Sequence, residues 1–394
     1  MAATSRYASS LLRQASTADL WAPIVLATRV QHLARVGPST ASSEDAAESH
    51  YKNALMTRVR TAPELTAWIR SKCCTSNQVM PDRATEVIVT RSDGGSMDAS
   101  QQTADEVAER LFGSLLGTVE IVSVFIGDRL GWYRSLADEG PASAVELAGR
   151  TGTQVRYARE WLEQQAVVGL LVVDKDGEPD DRRFAIPAST AEVMTDSTSL
   201  AYLVPIARMF GAVGPALPRL LEAYRNGGGV SWDELGDDAR ESQSDANRPW
   251  YEKQLGSALA GVPSVHDTLS APGCRILDVG CGGGWSSIAL ARAYPEATVL
   301  GIDIDQPSVD MAVANAREAG VEDRVRFVCR DAATLDEGTV DVAFAFECVH
   351  DMPRPVEVLS AVRRTLVPGG SMVVMDEAVA DSFAPDGDEL ERLM

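Results

Sequence analysis

From Cys274 onward, apolar runs of strand length alternate with helix-patterned runs: RILDVG, SSIALARAY, TVLGIDI, PSVDMAVANAREA, VRFVCRDA, VDVAFAFE, PVEVLSAVRRTL and SMVVMDEAV. Alternation of this kind builds a parallel sheet with helices on both faces. Runs such as VAFAF lack the polar interleaving of a one-sided strand, so both of their faces should be buried. The C-terminal region, 271–394, is therefore expected to be an α/β, Rossmann-like doubly wound sheet with five assignable strands.

The first of these strands runs into Asp278, Gly280, Gly282, Gly283 and Gly284 and then into a helix. A turn poor in β-carbons thus sits at the carboxyl end of the first strand, the edge at which doubly wound folds bind ligands. Amides at the start of the next helix favour an anionic group. The dinucleotide pattern G-x-G-x-x-G fails, because Trp285 stands three positions after Gly282. The second strand ends in GIDID, where Asp303 can accept hydrogen bonds from both hydroxyls of a ribose. After the third strand, Asp331 and Ala332 stand where a carboxylate can receive the amine of an adenine. Glycine turn and acidic ribose partner together imply a nucleoside-containing ligand. Asp331 can equally cap the turn that follows it, and Cys281 reads as a small space-filler.

These three ordered motifs, D-x-G-x-G-x-G, the acidic end of strand two and the Asp-Ala pair, resemble those of class I S-adenosylmethionine-dependent methyltransferases over about 273–381. The resemblance implies an enzyme of EC 2.1.1 type with S-adenosyl-L-methionine as cofactor. It sets the methionine moiety against Gly280, Gly282 and Gly284, the ribose on Asp303 and the adenine beside Asp331 and Ala332. Asp278 would orient the turn or the cofactor's ammonium group. The preceding region looks like the N-terminal part of bacterial small-molecule methyltransferases, in which it dimerises and roofs the substrate pocket. A homodimer and a small-molecule substrate follow as expectations, with oxygen, nitrogen and carbon nucleophiles all open. Such sheets normally hold seven strands, whereas this sequence stops at DGDELERLM. A C-terminally truncated domain with an exposed fifth strand, SMVVMDEA, is therefore expected.

Upstream, the chain divides by charge. Residues 1–96 hold 11 basic and 8 acidic residues, net +3, whereas the remainder holds 25 against 49, net −24, within an overall −21. We read 1–96 as a poorly ordered or non-homologous extension. Its Arg- and Ser-rich start also has the composition of an organellar transit peptide, the alternative to a cytoplasmic location. In 97–196, Val107, Leu111, Leu115, Val119, Val122 and Phe125 recur at helical spacing, which predicts two core helices. SAVELAGRTG, TQVRYAREWLEQQAVVG, LLVVD and RRFAIP then read as helix, turn, helix and a two-stranded wing. A winged helix raises DNA binding. Residues 101–200, however, hold 9 basic against 17 acidic residues, and Glu160 and Glu163 offset Arg156 and Arg159 on the recognition helix. Glu120 and Asp128 interrupt the longest apolar stretch, so no membrane span is expected. Residues 197–270 read as a helical linker and pocket roof, with a break at Gly227–Gly229.

The six cysteines form no CxxC pair, which indicates a reducing compartment and gives no sign of a metal. Methyl transfer from a sulfonium needs alignment and exclusion of water more than acid catalysis. A hydroxyl nucleophile gains from a base, and of the histidines at 32, 50, 266 and 350 only His350, in FECVHDM, lies on the ligand edge of the sheet. His350 is the candidate base, with a purely structural role as the alternative. Glu347, Trp250 and Tyr251 are the candidate substrate contacts. Two competing readings are a cofactor-sensing regulator that binds DNA through the winged helix and a nicotinamide oxidoreductase, the latter disfavoured by Trp285.

Overall fold

The computed structural model describes the strand Arg29–Leu33 and, apart from short gaps at 175–177, 179–180 and 336–339, residues 102–376, with a few isolated positions beyond. Nearly all of the first hundred residues therefore lie outside the described part, as does most of the segment after 376.

The sheet that alternation predicted is present. Strands β4 (Arg275–Val279), β5 (Thr298–Asp303), β6 (Val325–Cys329), β7 (Val340–Phe346) and β8 (Leu366–Asp376) pair in parallel in the order β8-β7-β4-β5-β6. Helices α11 (Trp285–Ala293), α12 (Gln306–Glu318) and α13 (Pro355–Thr365) connect them. The order reverses between β4 and β7, and ligands of open α/β sheets bind outside the strand ends at such a switch point. Two apolar clusters, one on each face, bury Val279, Val342, Ala343, Phe344 and Ala345 to 1% exposure or less.

One expectation fails here. The fifth strand of the domain, β8, is not an exposed edge: β1 (Arg29–Leu33) pairs with it antiparallel, Arg29 opposite Asp376 and Leu33 opposite Met372. The antiparallel neighbour comes from the N-terminal extension, far away in sequence, so no local signal announces it.

The winged helix is as read. Helices α3 (Ala144–Thr151) and α4 (Val155–Val167) are separated by Gly152, which closes α3 in the left-handed conformation. Strands β2 (Val172–Val173) and β3 (Phe184–Ala185) make the wing. Its core is aromatic: Trp161 stacks obliquely on Trp132 and edge-on against Tyr133, the latter two carried by α2 (Trp132–Glu139).

The stretch before it departs from expectation. Residues 104–129 form a single helix, α1 (Ala104–Arg129), begun by a capping box between Thr103 and Glu106. Its apolar face is uncovered over most of its length: Leu111, Phe112, Leu115, Leu116, Val119 and Val122 are all exposed. Helical spacing establishes that a face will be buried but not by which molecule. This helix is also long and apolar enough to cross a membrane, despite Glu120 and Asp128.

After α5 (Ala188–Thr195), helices α6 (Val204–Asn226), α7 (Trp232–Leu235) and α8 (Asp237–Trp250) lead through a π-turn at Tyr251–Leu255 to the short α9 (Gly256–Ala260) and α10 (Pro263–Leu269). Arg208 on α6 ties this layer together, pairing with Asp128 of α1 at 2.7 Å and Asp245 of α8 at 3.0 Å.

Candidate active site

Asp278, at the end of β4, is 1% exposed, and its Oδ2 accepts hydrogen bonds from the hydroxyls of Ser286 and Ser287, each at 2.6 Å. The carboxylate thereby pins the first turn of α11 to the end of the strand. Burial pushes the Asp278 carboxyl up to about 6. Its second oxygen, Oδ1, is buried without a hydrogen-bond partner.

The glycine turn follows. Gly284 takes φ 82° at the start of α11, and a β-carbon there would lie 2.7 Å from the Phe327 ring, so both backbone and space demand glycine. At Gly283 a β-carbon would stand 2.0 Å from the hydroxyl oxygen of Ser244. Helix α8 therefore rests on the turn as a lid. Gly282 donates its N–H to Asp303 Oδ2 at 2.8 Å, and Asp305 donates to Oδ1 at 3.0 Å. These bonds hold the Asp303 carboxylate at the cleft wall with lone pairs to spare. Burial nonetheless raises its pKa, against the pull of the two amides.

A cleft of about 240 Å³ opens between this turn, α8 and the loops after β6 and β7. Of the residues singled out from the sequence, Gly280, Gly282, Asp303, Asp331, Ala332, Glu347 and Tyr251 line it. Asp278 and Gly284 stand behind its wall. Asp331 caps the 3₁₀ turn Ala332–Thr334 by accepting from Ala333 at 2.9 Å, and it pairs with Arg354 at 3.0 Å. Tyr251 is buried, and its hydroxyl is pushed well above its ordinary range by desolvation, with Glu347 adding to the effect. Trp250 is not among the lining residues; it packs against the core and meets Tyr251 edge-on at 5.8 Å. His350 also lies outside the lining, with its ring bonded to Asp376. Cys281 and Cys348 line the cleft, but burial raises both thiols far above neutrality, so neither is a ready nucleophile.

The roof expected within 197–270 is supplied by α8, but sequence reasoning missed the residues with which it meets the cleft. Arg240, Ser244 and Asn247 of α8 face the cleft, and Arg248 lies 3.7 Å over the Trp285 ring. Arg240 is 6% exposed and grips Asp305 with two bonds of 2.7 and 3.2 Å. A polar helix such as DDARESQSDANRPW gives no sign of which neighbour its polar face will meet.

A glycine turn, a carboxylate at the end of the second strand and a lidded cleft at the switch point define a Rossmann-like nucleoside-binding site. The orphaned Asp278 oxygen and the unobstructed space above Gly282 fit a nucleoside that carries an amino-acid tail. Comparison with known proteins is specific on the family. Residues 270–392 match the methyltransferase domain family, and residues 118–196 match the Rv2258c-like winged HTH domain. Within this chain, 270–392 is thus similar to a methyltransferase domain and 118–196 to a winged-helix domain.

It is 37% identical over 142 residues to 27-O-demethylrifamycin SV methyltransferase of Amycolatopsis mediterranei, covering 36% of this chain and 50% of that protein. It is 35% identical over 128 residues to 24-methylenesterol C-methyltransferase 2 of Oryza sativa, covering 32% and 35%. The chain thus spans half or less of the length of these relatives. The solved structure of the mitomycin 7-O-methyltransferase MmcR shares the fold at 22% identity, with a TM-score of 0.53 over 69% of this chain and 81% of that one.

Proposed function

We propose that this protein transfers a methyl group from S-adenosyl-L-methionine to a small molecule. The observation that carries this reading is the Asp303 carboxylate, clamped by the Gly282 and Asp305 amides at the mouth of the glycine turn. When bound, the cofactor supplies a methyl group on a positively charged sulfur, already activated for displacement. Asp303 would hold the ribose hydroxyls, Asp331 and Ala332 the adenine, and the turn from Gly280 to Gly284 the methionine end. Arg240, Ser244 and Tyr251 close the cleft from above, exclude water and fix the approach of the nucleophile. The accepting atom stays open, since the relatives include both O- and C-methyltransferases by name. The test is calorimetric titration of the full chain with S-adenosylmethionine, S-adenosylhomocysteine and NAD. Selective binding of the first two supports the reading, and preference for NAD overturns it.

A small substrate is favoured over nucleic acid by the winged helix itself. Arg156, on the would-be recognition helix α4, is paired with Glu160 at 2.9 Å. The exposed face of α1 supports a homodimer, in which the same face of a second copy covers Leu111, Leu115 and Leu116. The acidic charge and the cysteine pattern favour a cytoplasmic protein. Cell fractionation tests this against organellar import.

A further inference from the structure

Among the described residues, four buried side-chain polar atoms have no hydrogen-bond partner: Asp278 Oδ1, Trp285 Nε1, Ser244 Oγ and Arg248 Nε. All four lie at the glycine turn or on α8 above it. Buried polar atoms are rarely left unpaired, so four in one place mark groups that a bound molecule would satisfy. Their chemistry divides them. An ionised Asp278 only accepts, Trp285 Nε1 and Arg248 Nε only donate, and the Ser244 hydroxyl does either. A ligand with a cationic donor and an anionic acceptor answers both kinds at once, and the zwitterion of an α-amino acid is such a group.

Trp285 stands where the anionic part is held. It opens α11, a helix of nine residues, and lines the cleft at 7% exposure. Side chains on a helix lean back toward its N-terminus, which here is the glycine turn, and the first amides of the helix favour an anion at the same end. Ser244 meets that turn at Gly283, and the Arg248 guanidinium stands 3.7 Å over the centre of the indole ring. Arg248 also lies 3.4 Å from the Glu252 carboxylate, so its charge is partly balanced and it acts through the indole that it covers. The same residue that breaks the dinucleotide pattern thus supplies a buried donor.

We propose that the Trp285 indole N–H and the Ser244 hydroxyl bind the carboxylate of the cofactor's methionine end while Asp278 takes its ammonium group, so that the cleft selects a cofactor with an intact amino acid. Arg248 is a positioning residue that holds the indole in place. The inference rests on the reading of the cleft as an S-adenosylmethionine site. Decarboxylated S-adenosylmethionine keeps the sulfonium, the ribose and the adenine and lacks only the group that Trp285 and Ser244 would hold.

The experiment is calorimetric titration of the full-length chain with S-adenosylmethionine and with its decarboxylated form, repeated on Trp285→Phe, Ser244→Ala and Arg248→Gln, with circular dichroism to confirm folding. The wild type should bind the intact cofactor at least about tenfold more tightly than the decarboxylated one. Trp285→Phe keeps an aromatic ring and removes the donor, so it should lose about tenfold for the intact cofactor and nothing for the decarboxylated form. Ser244→Ala and Arg248→Gln should show the same one-sided loss, whereas a merely structural role would weaken both ligands alike. Equal binding of the two forms by the wild type, or a Trp285→Phe effect that is absent or the same for both, overturns the inference and leaves the cofactor reading standing. The wild-type comparison needs no substitution and decides the matter if Trp285→Phe fails to fold. Folded wild type that binds neither form overturns the cofactor reading and the inference with it.

Discussion

Asp278 shows how one buried carboxyl couples the site to stability. Unfolded, it titrates near its ordinary value of about 4; folded, burial lifts it to about 6. Between these values the folded chain binds more protons than the unfolded one. The group's contribution to stability therefore falls as pH rises through that window and is constant above it. Asp278→Asn keeps an acceptor for Ser286 and Ser287 and removes the titration. In thermal unfolding, the Tm of this variant should gain on the wild type from about pH 4 to about 6, with a constant gap above. A gap that is the same at all pH values would contradict the buried-carboxyl assignment. Residues of this kind were legible from the sequence because strand, turn and helix are contiguous there, so Asp278, Gly280, Gly282 and Gly284 fall into place together. Asp303 was legible for the same reason, standing at the end of its own strand. Arg240 and Ser244 were not, since they reach the turn from a helix some forty residues upstream whose approach only tertiary packing decides.

Among the elements, α8 matters most because it joins the lid to the nucleoside-binding turn through one buried ion pair. Asp305 begins α12 by accepting from the Ser308 N–H at 3.0 Å, and Arg240 engages both of its oxygens. Its carboxyl is held below the ordinary range: burial alone would raise it, but Arg240 and Ser308 outweigh that effect. Arg240→Ala leaves Asp305 buried without its cation, which should cost about 3 to 5 kcal/mol. The double variant Arg240→Ala with Asp305→Asn should recover part of that loss. Chemical denaturation of the four proteins measures the coupling, and strictly additive effects would mean that lid and domain are not joined here. The strands β4 to β8 could be read from hydrophobic runs because a doubly covered parallel sheet leaves a continuous apolar signature. The position of β1 could not, since pairing between Arg29–Leu33 and β8 spans more than three hundred residues.

At the scale of the whole molecule, the long helix α1 is the unresolved surface. Its apolar repeat predicted core helices, yet within one chain that face meets solvent. The homodimer proposed above would cover it with a second copy. Light scattering on the eluted protein should then give twice the 42.2 kDa chain mass, and Leu111→Glu combined with Leu115→Glu should give the single-chain mass. A wild-type monomer that co-sediments with lipid vesicles would assign α1 to a membrane surface instead. The lidded cleft stands or falls on its cofactor. The most direct measurement is calorimetric titration of S-adenosylmethionine into the full-length wild type and into Asp303→Ala, with circular dichroism confirming that both are folded. One site per chain, weakened at least about tenfold by loss of the carboxylate, is the expected result. Folded wild-type protein that binds no S-adenosylmethionine, or binds it equally well without Asp303, would contradict the assignment of this cleft.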